Sequence, residues 1–470
     1  MKTVLAFDFG ASTGRAIKAH FDGKKITYEE IHRFENIPLT VDGYICHDVE
    51  MILSEVKQAI DKAGDIDSLA FDTWGVDYGL LDSDGKLLHP PVHYRDERTK
   101  EVLAKAFEKL SADELYAETG NQIMNINTLF QLICDTNLKK ADKLLFMPDL
   151  FSYFLTGEKV CEMSIASTSQ MLDMKEKSWS KKVLDAFGIK ESLFAPIKES
   201  ATVNGEYKGI PVISVAGHDT QCAVAAMPTE NENAAFLSCG TWSLIGCELD
   251  EPVMTSESNA LELSNEMGAN GKINFLKNIS GLWLIQETRR NLAKTDRKYS
   301  YNELETFARE SEKFRSFIDP DAPELSAHGN LPEKIRNYCK NTNQPVPETI
   351  GQLVRCIYES LALKYRLALE QIGECTVKKF DVLHLMGGGT KDGFLCELTA
   401  ESLGIPVVAG PVEATALGNI VLQLIALGEI ESIEKGREII AETEKVKTYV
   451  GERTPDWDEA FERFCTIIKK

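Results

Sequence analysis

The sequence predicts an α/β protein with two lobes, and three observations support this prediction. Apolar runs of strand length alternate along the chain with segments whose apolar residues recur at helical spacing. The stretch 228–233 consists of polar and turn-forming residues and marks a boundary between lobes. On each side of this boundary, the chain begins with an apolar strand, a turn of small and hydroxyl residues and a returning strand. We therefore expect an N-terminal lobe over residues 1–228 and a C-terminal lobe over residues 234–470.

The elements of each lobe follow from these patterns. In the first lobe we expect a strand over 4–7, a turn over 10–14, a returning strand over 15–21, a helix over 51–63, a strand over 68–71, a helix-rich stretch over 101–155 and a strand over 210–215. In the second lobe we expect strands over 234–238, 244–247 and 382–386, and helices over 350–372, 394–403 and 414–427.

The chain is acidic, because its 470 residues include 52 Lys and Arg against 73 Asp and Glu, a formal net charge of −21. Phosphate backbones and anionic lipid repel such a chain, which argues against nucleic acid and membranes as partners. No apolar run approaches the roughly 18–20 residues of a membrane helix, and Asp8 interrupts the apolar start too early for a signal peptide. The eleven cysteines are scattered and form no C-x-x-C pair, which also predicts a cytoplasmic protein. In a reducing compartment we expect Cys339 and Cys356 to be two separate thiols.

The segment from Asp8 to Arg15, Asp-Phe-Gly-Ala-Ser-Thr-Gly-Arg, is the first candidate for binding chemistry. A turn of glycine and small residues leaves backbone N–H groups free to converge on an anion, while hydroxyls and an arginine add donors. Asp8 is placed to hold the magnesium ion that accompanies nucleotide phosphates. Any tight hairpin also favours glycine, so a purely structural role stays open. The similar turn 238–243 in the second lobe, Ser-Cys-Gly-Thr-Trp-Ser, favours phosphate binding from both sides of a cleft.

The run Gly387-Gly388-Gly389 follows a predicted strand and precedes a helix, which allows the backbone to approach adenine or its ribose. A tight strand-to-helix turn is the alternative. The run lacks the G-x-G-x-x-G spacing of a dinucleotide site. No Gly-Lys pair is followed by Ser or Thr, and Tyr94-Arg95-Asp96 lacks the rest of a protein-kinase signature, so P-loop and protein-kinase folds are disfavoured.

Asp219 is the candidate for catalysis. It lies in Gly217-His218-Asp219-Thr220, just after an apolar strand, where loops of α/β folds deliver functional side chains. A carboxylate there is suited to accept the proton of an alcohol that attacks a γ-phosphorus. The alternative role for Asp219 is a helix N-cap. For His218 we expect a hydrogen-bonded residue that orients the turn, without a role in proton transfer.

The hexapeptide Asp72-Thr73-Trp74-Gly75-Val76-Asp77 combines two carboxylates with an aromatic residue and a glycine directly after a strand. This composition suits stacking on the apolar face of a sugar and hydrogen bonding to its hydroxyls. A pair of carboxylates also fits a glycosidase, and the spacing does not decide between the two. His89 and His93 are separated by two prolines, so we expect an extended loop there and no helical metal pair.

Together these motifs resemble the FGGY family of carbohydrate kinases. Three further segments carry the resemblance, namely Tyr94-Arg95-Asp96-Glu97-Arg98-Thr99, Leu276-Lys277-Asn278-Ile279-Ser280-Gly281-Leu282-Trp283-Leu284-Ile285-Gln286 and Ala409-Gly410-Pro411-Val412-Glu413-Ala414. The motifs run in the family's order to about residue 427, which is about nine-tenths of the chain. The resemblance implies an actin/hexokinase/Hsp70-like fold, with two ribonuclease-H-like lobes and an interdomain cleft.

The resemblance also implies that Mg-ATP phosphorylates the O1 of L-rhamnulose, with Asp219 as the general base and Asp8 as the carboxylate on the magnesium side. The residues that it implies for ATP are Ala11, Ser12, Thr13, Gly14, Arg15, Thr241, Gln286, Gly387 and Gly388. The residues that it implies for the ketose are Gly75, His218, Asp219, Thr220 and Asn278.

Three alternatives stay open: a kinase for L-fuculose or another ketose, a sugar-independent ATPase of the actin or Hsp70 type, and a glycosidase. We expect the helical stretch 121–127 to border the sugar pocket, where different apolar side chains would readmit an epimer, because shape discrimination is worth only about 1–3 kcal/mol. We expect a monomer or a homodimer.

Overall fold

The structure is a computed structural model that describes residues 1–326 and 329–469. The chain forms two compact units. The first unit comprises residues 1–230, 248–276 and 414–444, and the second comprises residues 231–247, 277–413 and the residues from Lys445 onward. The stretch that was expected to form the C-terminal lobe therefore contributes segments to both units.

The described residues contain twenty-one strands: β1 (Lys2–Phe9), β2 (Thr13–Phe21), β3 (Ile26–Glu35), β4 (Leu39–Val41), β5 (Tyr44–Cys46), β6 (Ser68–Thr73), β7 (Tyr78–Leu81), β8 (Lys143–Phe146), β9 (Cys161–Glu162), β10 (Leu172–Asp173), β11 (Ser178–Trp179), β12 (Ile197–Lys198), β13 (Thr202–Tyr207), β14 (Ile210–Ser214), β15 (Ala234–Cys239), β16 (Trp242–Leu249), β17 (Ser264–Met267), β18 (Ile273–Ser280), β19 (Val382–Met386), β20 (Val407–Ala409) and β21 (Lys447–Tyr449).

The same residues contain eighteen α-helices: α1 (Val49–Ala63), α2 (Val102–Phe107), α3 (Ala112–Thr119), α4 (Thr128–Ile133), α5 (Met147–Thr156), α6 (Met163–Ala166), α7 (Lys181–Phe187), α8 (Asp219–Ala225), α9 (Ser256–Ala260), α10 (Trp283–Thr295), α11 (Tyr301–Arg309), α12 (Pro323–Ser326), α13 (Leu331–Asn341), α14 (Ile350–Thr376), α15 (Gly393–Leu403), α16 (Ala414–Ala426), α17 (Ile433–Thr443) and α18 (Pro455–Ile468).

The main sheet of the first unit has six strands in the order β13-β14-β6-β1-β2-β3. Strand β1 pairs antiparallel with β2 and parallel with β6, and β6 pairs parallel with β14. All six residues of β6 are buried, as expected for a central parallel strand that is covered on both faces. The carboxyl ends of β1, β6 and β14 meet at one edge of this sheet, which is where α/β proteins place functional side chains.

A second sheet has seven strands in the order β17-β18-β16-β15-β19-β20-β21, of which β17, the end of β16 and the first residues of β18 belong to the first unit. Strand β15 pairs antiparallel with β16 and parallel with β19. This repeats the arrangement of β1 with β2 and β6 in the first unit. The similarity that the sequence predicts between the two strand–turn–strand segments is therefore confirmed.

Helix α8 is held in place by close backbone packing against α16. A Cβ atom on Gly418 of α16 would lie 1.8 Å from the carbonyl oxygen of Cys222 on α8, so only glycine fits there. Helix α16 also packs on β1 and β6. This packing fixes the start of α8 relative to the parallel strands of the first unit.

The predicted strands and helices of both lobes are confirmed, with boundaries that differ by a few residues, but the expected helical stretch 121–127 is wrong. Helix α3 ends at Gly120, which adopts a left-handed conformation with φ of 61°, and α4 begins only at Thr128. The chain between these residues is irregular. Glycine at the end of a helix favours this left-handed stop.

Among residues 1–326 and 329–469, no helix has both the length and the apolar character that crossing a lipid bilayer requires. All eleven cysteines are free thiols, including Cys339 and Cys356.

Candidate active site

Three aspartates lie at the carboxyl edge of the first unit's sheet. Asp8 on β1 and Asp72 on β6 are register partners, and Asp219 is the first residue of α8, which follows β14. The charges of Asp8 and Asp219 both raise the pKa of Asp72, because the three carboxyl groups are close together. The structure thus brings together two residues that the sequence predicts for the site, Asp8 and Asp219, and adds Asp72 to them.

Asp219 uses one of its two carboxylate oxygens in hydrogen bonds to its neighbours. Its Oδ1 accepts from the backbone N–H of Thr220 at 2.6 Å and lies 3.4 Å from the Thr220 hydroxyl. The N-cap position of α8 belongs to His218, so Asp219 does not cap the helix in the way that the alternative assumed. Within the described part of the chain, no hydrogen bond engages Oδ2, which leaves this oxygen available to a ligand.

The environment of Asp219 suits a general base that works near neutral pH. Its side chain is 35 % exposed, and the surrounding protein excludes water from the rest of it. This removal from water, together with the charge of Asp8, raises the pKa of Asp219 to about 6, although the charge of His218 lowers it. At pH 7 the carboxylate is largely ionised, and a pKa close to the working pH favours proton transfer.

The surroundings of Asp72 favour the protonated form of its carboxyl group. It is fully buried, and its Oδ2 accepts from the side-chain amide of Asn419 at 2.7 Å. Burial raises the pKa of Asp72 well above its ordinary value, and the charge of Asp8 adds to the shift. The protonated acid limits the negative charge of the cluster.

Arg15 balances the charge of Asp8 from the neighbouring strand. The two residues are register partners on β1 and β2, and the Arg15 guanidinium donates to Oδ2 of Asp8. The arginine that the sequence predicts for ATP phosphates therefore lies on a strand, beside the turn and paired with a carboxylate.

The turn that the sequence predicts for phosphate binding connects β1 and β2. Ser12 and Thr13 are exposed, and the N–H of Gly10 donates to the Thr13 carbonyl at 2.9 Å. A Cβ atom on Gly14 would lie 2.2 Å from the ring of Phe34, so this glycine is required by packing. The exposed hydroxyls and the small residues give the turn the open surface that an anion needs.

Gly75 lies beside the ring of His218. A Cβ atom at Gly75 would be 3.5 Å from the Nε2 of His218 and 3.4 Å from the Thr168 methyl group. The next residue, Val76, has a φ of 67°, which is strained for a β-branched side chain. The backbone of Val76 is held by Thr168, whose hydroxyl accepts from its N–H at 3.2 Å, and by Thr128, whose hydroxyl donates to its carbonyl at 2.7 Å.

The expectation that Trp74 stacks on a sugar is wrong. Its side chain is buried, its Nε1 donates to Asp77 at 2.9 Å, and its ring packs against His47. Asp72 and Asp77 are both completely buried, at 0 % exposure. Two acids that no sugar reaches cannot flank a glycosidic bond, which removes the support for a glycosidase.

The described ranges contain one group of three side chains that could bind a metal, with ligand atoms within 4.8 Å of one another. Its members are His47, Asp77 and His93. Oδ2 of Asp77 already accepts from His47 Nε2 at 2.7 Å, from Trp74 Nε1 and from the N–H of Tyr94. The two imidazole rings stack at 4.5 Å with an angle of 20°, which does not direct their in-plane lone pairs at a common point. This group is a hydrogen-bonded network that supports the 74–77 turn, and the loop predicted around His89 and His93 is confirmed.

His218 and Thr220 flank Asp219 as the sequence predicts, and His218 has a further partner. Its Nδ1 lies 3.0 Å from Oε2 of Glu266 on β17. The same oxygen accepts from the amide of Gln221 at 2.7 Å. Glu266 is a buried carboxylate that the sequence analysis missed.

The predicted nucleotide residues Thr241, Gln286, Gly387 and Gly388 all belong to the second unit. Thr241 lies in the exposed turn between β15 and β16, and its carbonyl accepts from the N–H groups of Gly281 and Trp283 at 3.1 and 3.2 Å. Gln286 is half-buried in the first turns of α10, which begins at Trp283. Thr241 and the start of the helix that carries Gln286 therefore lie next to each other.

The glycine run packs against the end of β15. Gly387 has a φ of 82°, and a Cβ atom there would lie 3.2 Å from the carbonyl oxygen of Cys239. On Gly389 a Cβ atom would lie 2.3 Å from the Cys239 sulfur. The structure thus places Gly387 and Gly388 beside the strand end that leads into Thr241. Asn278, predicted for the ketose, lies on β18 and also belongs to the second unit.

Glu266, Asn419 and Glu162 are the polar side chains of this region that sequence reasoning missed. Glu162 is buried and accepts from the N–H of Gly217 at 2.9 Å, directly before His218. None of the three lies in a glycine-rich or paired-carboxylate motif, and each is distant in sequence from its partner. The strand 264–267 has the sequence Ser-Asn-Glu-Met, and this polar composition offered no signal that distinguishes Glu266.

Two family models match the chain. The N-terminal domain of the FGGY family of carbohydrate kinases matches residues 3–236, and the C-terminal domain of the same family matches residues 235–427. Curated relatives include rhamnulokinases from Bacteroides thetaiotaomicron, 42 % identical over 99 % of both chains, and from Enterococcus faecalis, 39 % identical over 93 % of this chain and 92 % of that protein. The rhamnulokinase of Bacillus subtilis is 36 % identical over 94 % of each.

Solved structures of sugar and polyol kinases have the same fold. A ligand-bound xylulose kinase from Lactobacillus acidophilus has a TM-score of 0.82 at 17 % identity, covering 100 % of this chain and 98 % of that one. The glycerol kinase of Plasmodium falciparum with ADP has a TM-score of 0.78 at 15 % identity, covering 100 % of this chain and 97 % of that one. The predicted α/β fold of the actin and hexokinase type is confirmed.

Proposed function

The chain belongs to the FGGY family of carbohydrate kinases, and on that premise we propose that it transfers the γ-phosphoryl group of ATP to the O1 hydroxyl of L-rhamnulose. The products are ADP and L-rhamnulose 1-phosphate. The relatives that match along nearly the whole chain are named rhamnulokinases, which supports this ketose as the acceptor. The observation that carries the proposal is the carboxylate of Asp219, which is ionised at pH 7 and keeps Oδ2 available at the edge of the sheet.

In the proposed reaction, Oδ2 of Asp219 accepts the proton of the O1 hydroxyl as that oxygen attacks the γ-phosphorus. The new bond joins O1 to phosphorus, the bond from the γ-phosphorus to the β,γ-bridging oxygen breaks, and ADP leaves with the electron pair. A positioned base of this kind contributes about 10²–10⁴-fold to the rate. Thr220, whose amide and hydroxyl contact Oδ1, fixes the carboxylate and directs its other oxygen to the acceptor.

We assign residues 11–15 and Thr241 to the phosphates of ATP. Both are exposed turns of small and hydroxyl residues, the kind of backbone that binds anions. Gln286, Gly387 and Gly388 are assigned to the rest of the nucleotide, because they lie next to the Thr241 turn or to the strand that leads into it.

We assign the ketose to Gly75, His218, Asp219, Thr220 and Asn278. The absence of a side chain at Gly75 leaves space beside the His218 ring, and a hydroxyl group of the sugar is suited to fill it. His218, Asp219 and Thr220 are consecutive residues around the start of α8, and the Nε2 of His218 and the hydroxyl of Thr220 lie 3.5 and 3.4 Å from Oδ1 of Asp219.

The residues at the sheet edge fit a magnesium ion, because that ion prefers hard oxygen ligands such as carboxylates and water. Asp8 would hold it through the oxygen that Arg15 does not occupy, directly or through a water molecule. When bound, magnesium neutralises charge on the β- and γ-phosphates. Asp72 is completely buried and its surroundings favour the protonated form, so it is not assigned as a ligand.

We propose that the enzyme works in the reducing cytoplasm, in agreement with its eleven free thiols.

The test is a coupled ADP-release assay with L-rhamnulose, L-fuculose, L-ribulose and D-xylulose as acceptors. We expect the highest kcat/KM for L-rhamnulose; a higher value for L-fuculose would assign the chain to the alternative ketose. ATP hydrolysis that no sugar stimulates would favour an ATPase of the actin or Hsp70 type.

The variant Asp219→Asn keeps the shape of the side chain and removes the base. We expect turnover to fall about 10²–10⁴-fold while ATP binding, measured by calorimetry, persists. The matched control is Asp84→Asn, at an exposed turn position. Unimpaired turnover in Asp219→Asn would reject the assignment of the base.

A further inference from the structure

A chain of polar contacts leads from β17 to the proposed base. Glu266 is 5 % exposed, and its Oε2 lies 3.0 Å from Nδ1 of His218. The amide of Gln221 donates to the same oxygen at 2.7 Å, and the carbonyl oxygen of that amide accepts from Asn274. The carbonyl oxygen of the Gln221 amide is thus engaged by Asn274, and its NH2 group faces Glu266. Glu266 is therefore the acceptor of this hydrogen bond.

On its other side, the His218 ring faces the catalytic carboxylate. Its Nε2 lies 3.5 Å from Oδ1 of Asp219. A neutral imidazole carries one N–H and can donate to only one of two carboxylates, whereas an imidazolium donates to both. The position of His218 between Glu266 and Asp219 therefore favours the protonated ring.

The charged groups around His218 also favour its protonated form. The charged or titratable side chains that face it are Glu266 from β17, Asp219 from α8 and Glu162 from β9, and all three are acids. Burial alone lowers the pKa of His218, but the charge and hydrogen bond of Glu266, with the charges of Asp219 and Glu162, raise it above 6.5.

We propose that Glu266 is a positioning residue that keeps His218 doubly protonated, so that its Nδ1–H donates to Glu266 and its Nε2–H faces Asp219. This assignment rests on the proposed function for its catalytic meaning. The Nε2–H, together with the amide of Thr220, occupies Oδ1 of Asp219 and so selects Oδ2 as the oxygen that receives the proton of the acceptor. Glu266 itself touches neither substrate in this scheme and acts through His218.

The same chain provides a matched control for this pair. His32 and Glu55 form a second histidine–carboxylate contact in the first unit, with Nε2 2.6 Å from Oε2. The variant Glu266→Gln keeps the size and one acceptor oxygen but removes the charge. Glu55→Gln makes the same change at a position that neither substrate is proposed to touch.

The first measurement is the ¹⁵N NMR spectrum of the histidine rings, recorded without substrate and assigned by comparison with His218→Asn. In the wild type at pH 7 we expect imidazolium signals for His218. In Glu266→Gln we expect the midpoint of the His218 titration to fall, whereas Glu55→Gln leaves it unchanged and Glu266→Asp keeps the ring protonated. A neutral His218 ring in the wild type at pH 7, or the same midpoint in Glu266→Gln, would overturn the proposal. The wild-type spectrum decides this even if the variant does not fold.

The second measurement is steady-state turnover. We expect Glu266→Gln to lower kcat/KM for the ketose roughly tenfold or more, the scale of a lost hydrogen bond to a charged group, with little change in the KM for ATP. Equal changes for both substrates would contradict a role through His218. A wild type that phosphorylates no ketose would reject the proposed function, while the protonation of His218 would still be decided by NMR.

Discussion

The side-chain amide of Asn419 donates to Oδ2 of Asp72 at 2.7 Å, although the two residues are 347 positions apart in the chain. Asn419 lies on α16, and Asp72 lies on β6 beside Asp8. The other oxygen of Asp72, Oδ1, is buried and has no hydrogen bond among the described residues. Burial of a half-satisfied carboxyl group of this kind disfavours its charged form.

The stability of the protein should therefore depend on Asp72 and on pH. The pKa of Asp72 is raised in the folded state, whereas the unfolded chain loses this proton near pH 4. Above pH 4 the folded state binds more protons than the unfolded state, so this group lowers stability progressively as the pH rises. We expect Asp72→Asn, which is neutral at every pH, to have a higher thermal midpoint than the wild type at pH 7. The difference should shrink toward pH 4.

The control for this prediction is Asp84→Asn, because Asp84 is exposed in a turn. Melting curves of the three proteins at several pH values between 4 and 7.5 provide the comparison. A midpoint of Asp72→Asn that runs parallel to the wild type at all pH values would show that Asp72 is ionised in the folded protein.

A second prediction concerns the pH dependence of turnover. Burial raises the pKa of Asp219 to about 6, and only the ionised carboxylate accepts a proton. We expect kcat/KM for L-rhamnulose to rise with pH and to reach half of its plateau near pH 6. The measurement is a series of initial rates at saturating ATP between pH 5 and 8, checked with a second acceptor ketose. A flat profile across this range would contradict the assigned base.

The strands β1, β2, β6, β14, β15, β16 and β19 could be predicted from sequence, because apolar runs and turns are local signals, whereas the other strands of the two sheets were not predicted. The residues at the ends of these strands could be predicted for the same reason, since Asp8 and Asp219 directly follow apolar runs. The hydrogen-bond partners of these residues could not be predicted from the sequence. Glu266 and Asn419 reach the site from segments that lie 45 or more positions from His218 and Asp72, and no local pattern records such a contact.

The two wrong expectations have a similar origin. Trp74 was expected to meet a sugar because an aromatic residue between carboxylates suits that role. Its ring packs instead against His47, which comes from a separate segment, and its Nε1 donates to Asp77. The segment 121–127 was expected to be helical as part of the helix-rich stretch 101–155, but the left-handed Gly120 ends α3 before this segment. In both cases, tertiary packing or one backbone angle outweighed a plausible local pattern.

A third prediction tests the strained turn beside the proposed ketose site. The φ of 67° at Val76 costs on the order of 1–3 kcal/mol and persists because Thr168 and Thr128 bind its backbone. Thr168→Val removes the acceptor for the N–H of Val76 and keeps the shape of the side chain. We expect the KM for the ketose to rise roughly five- to tenfold, because Gly75 shifts, while the KM for ATP stays the same.

Thr168→Ser is the matched variant, since it keeps the hydroxyl and should restore the wild-type KM for the ketose. Steady-state kinetics with each substrate varied in turn separate the two affinities. The idea fails if Thr168→Val and Thr168→Ser have equal KM values for the ketose.

A fourth prediction concerns the glycine run of the second unit. A Cβ atom on Gly389 would lie 2.3 Å from the sulfur and 2.7 Å from the Cβ of Cys239, at the buried end of β15. Gly389→Ala must push the run away from this strand, and overpacking of this kind costs about 1–3 kcal/mol. We therefore expect a lower thermal midpoint and, because Gly387 and Gly388 move with Gly389, a higher KM for ATP.

Gly388→Ala is the control for stability. The Cβ atom of this variant would lie 3.9 Å from its nearest neighbour, so we expect a thermal midpoint near that of the wild type. Equal midpoints for Gly389→Ala and Gly388→Ala would show that the strand and the run are not packed as closely as the structure indicates.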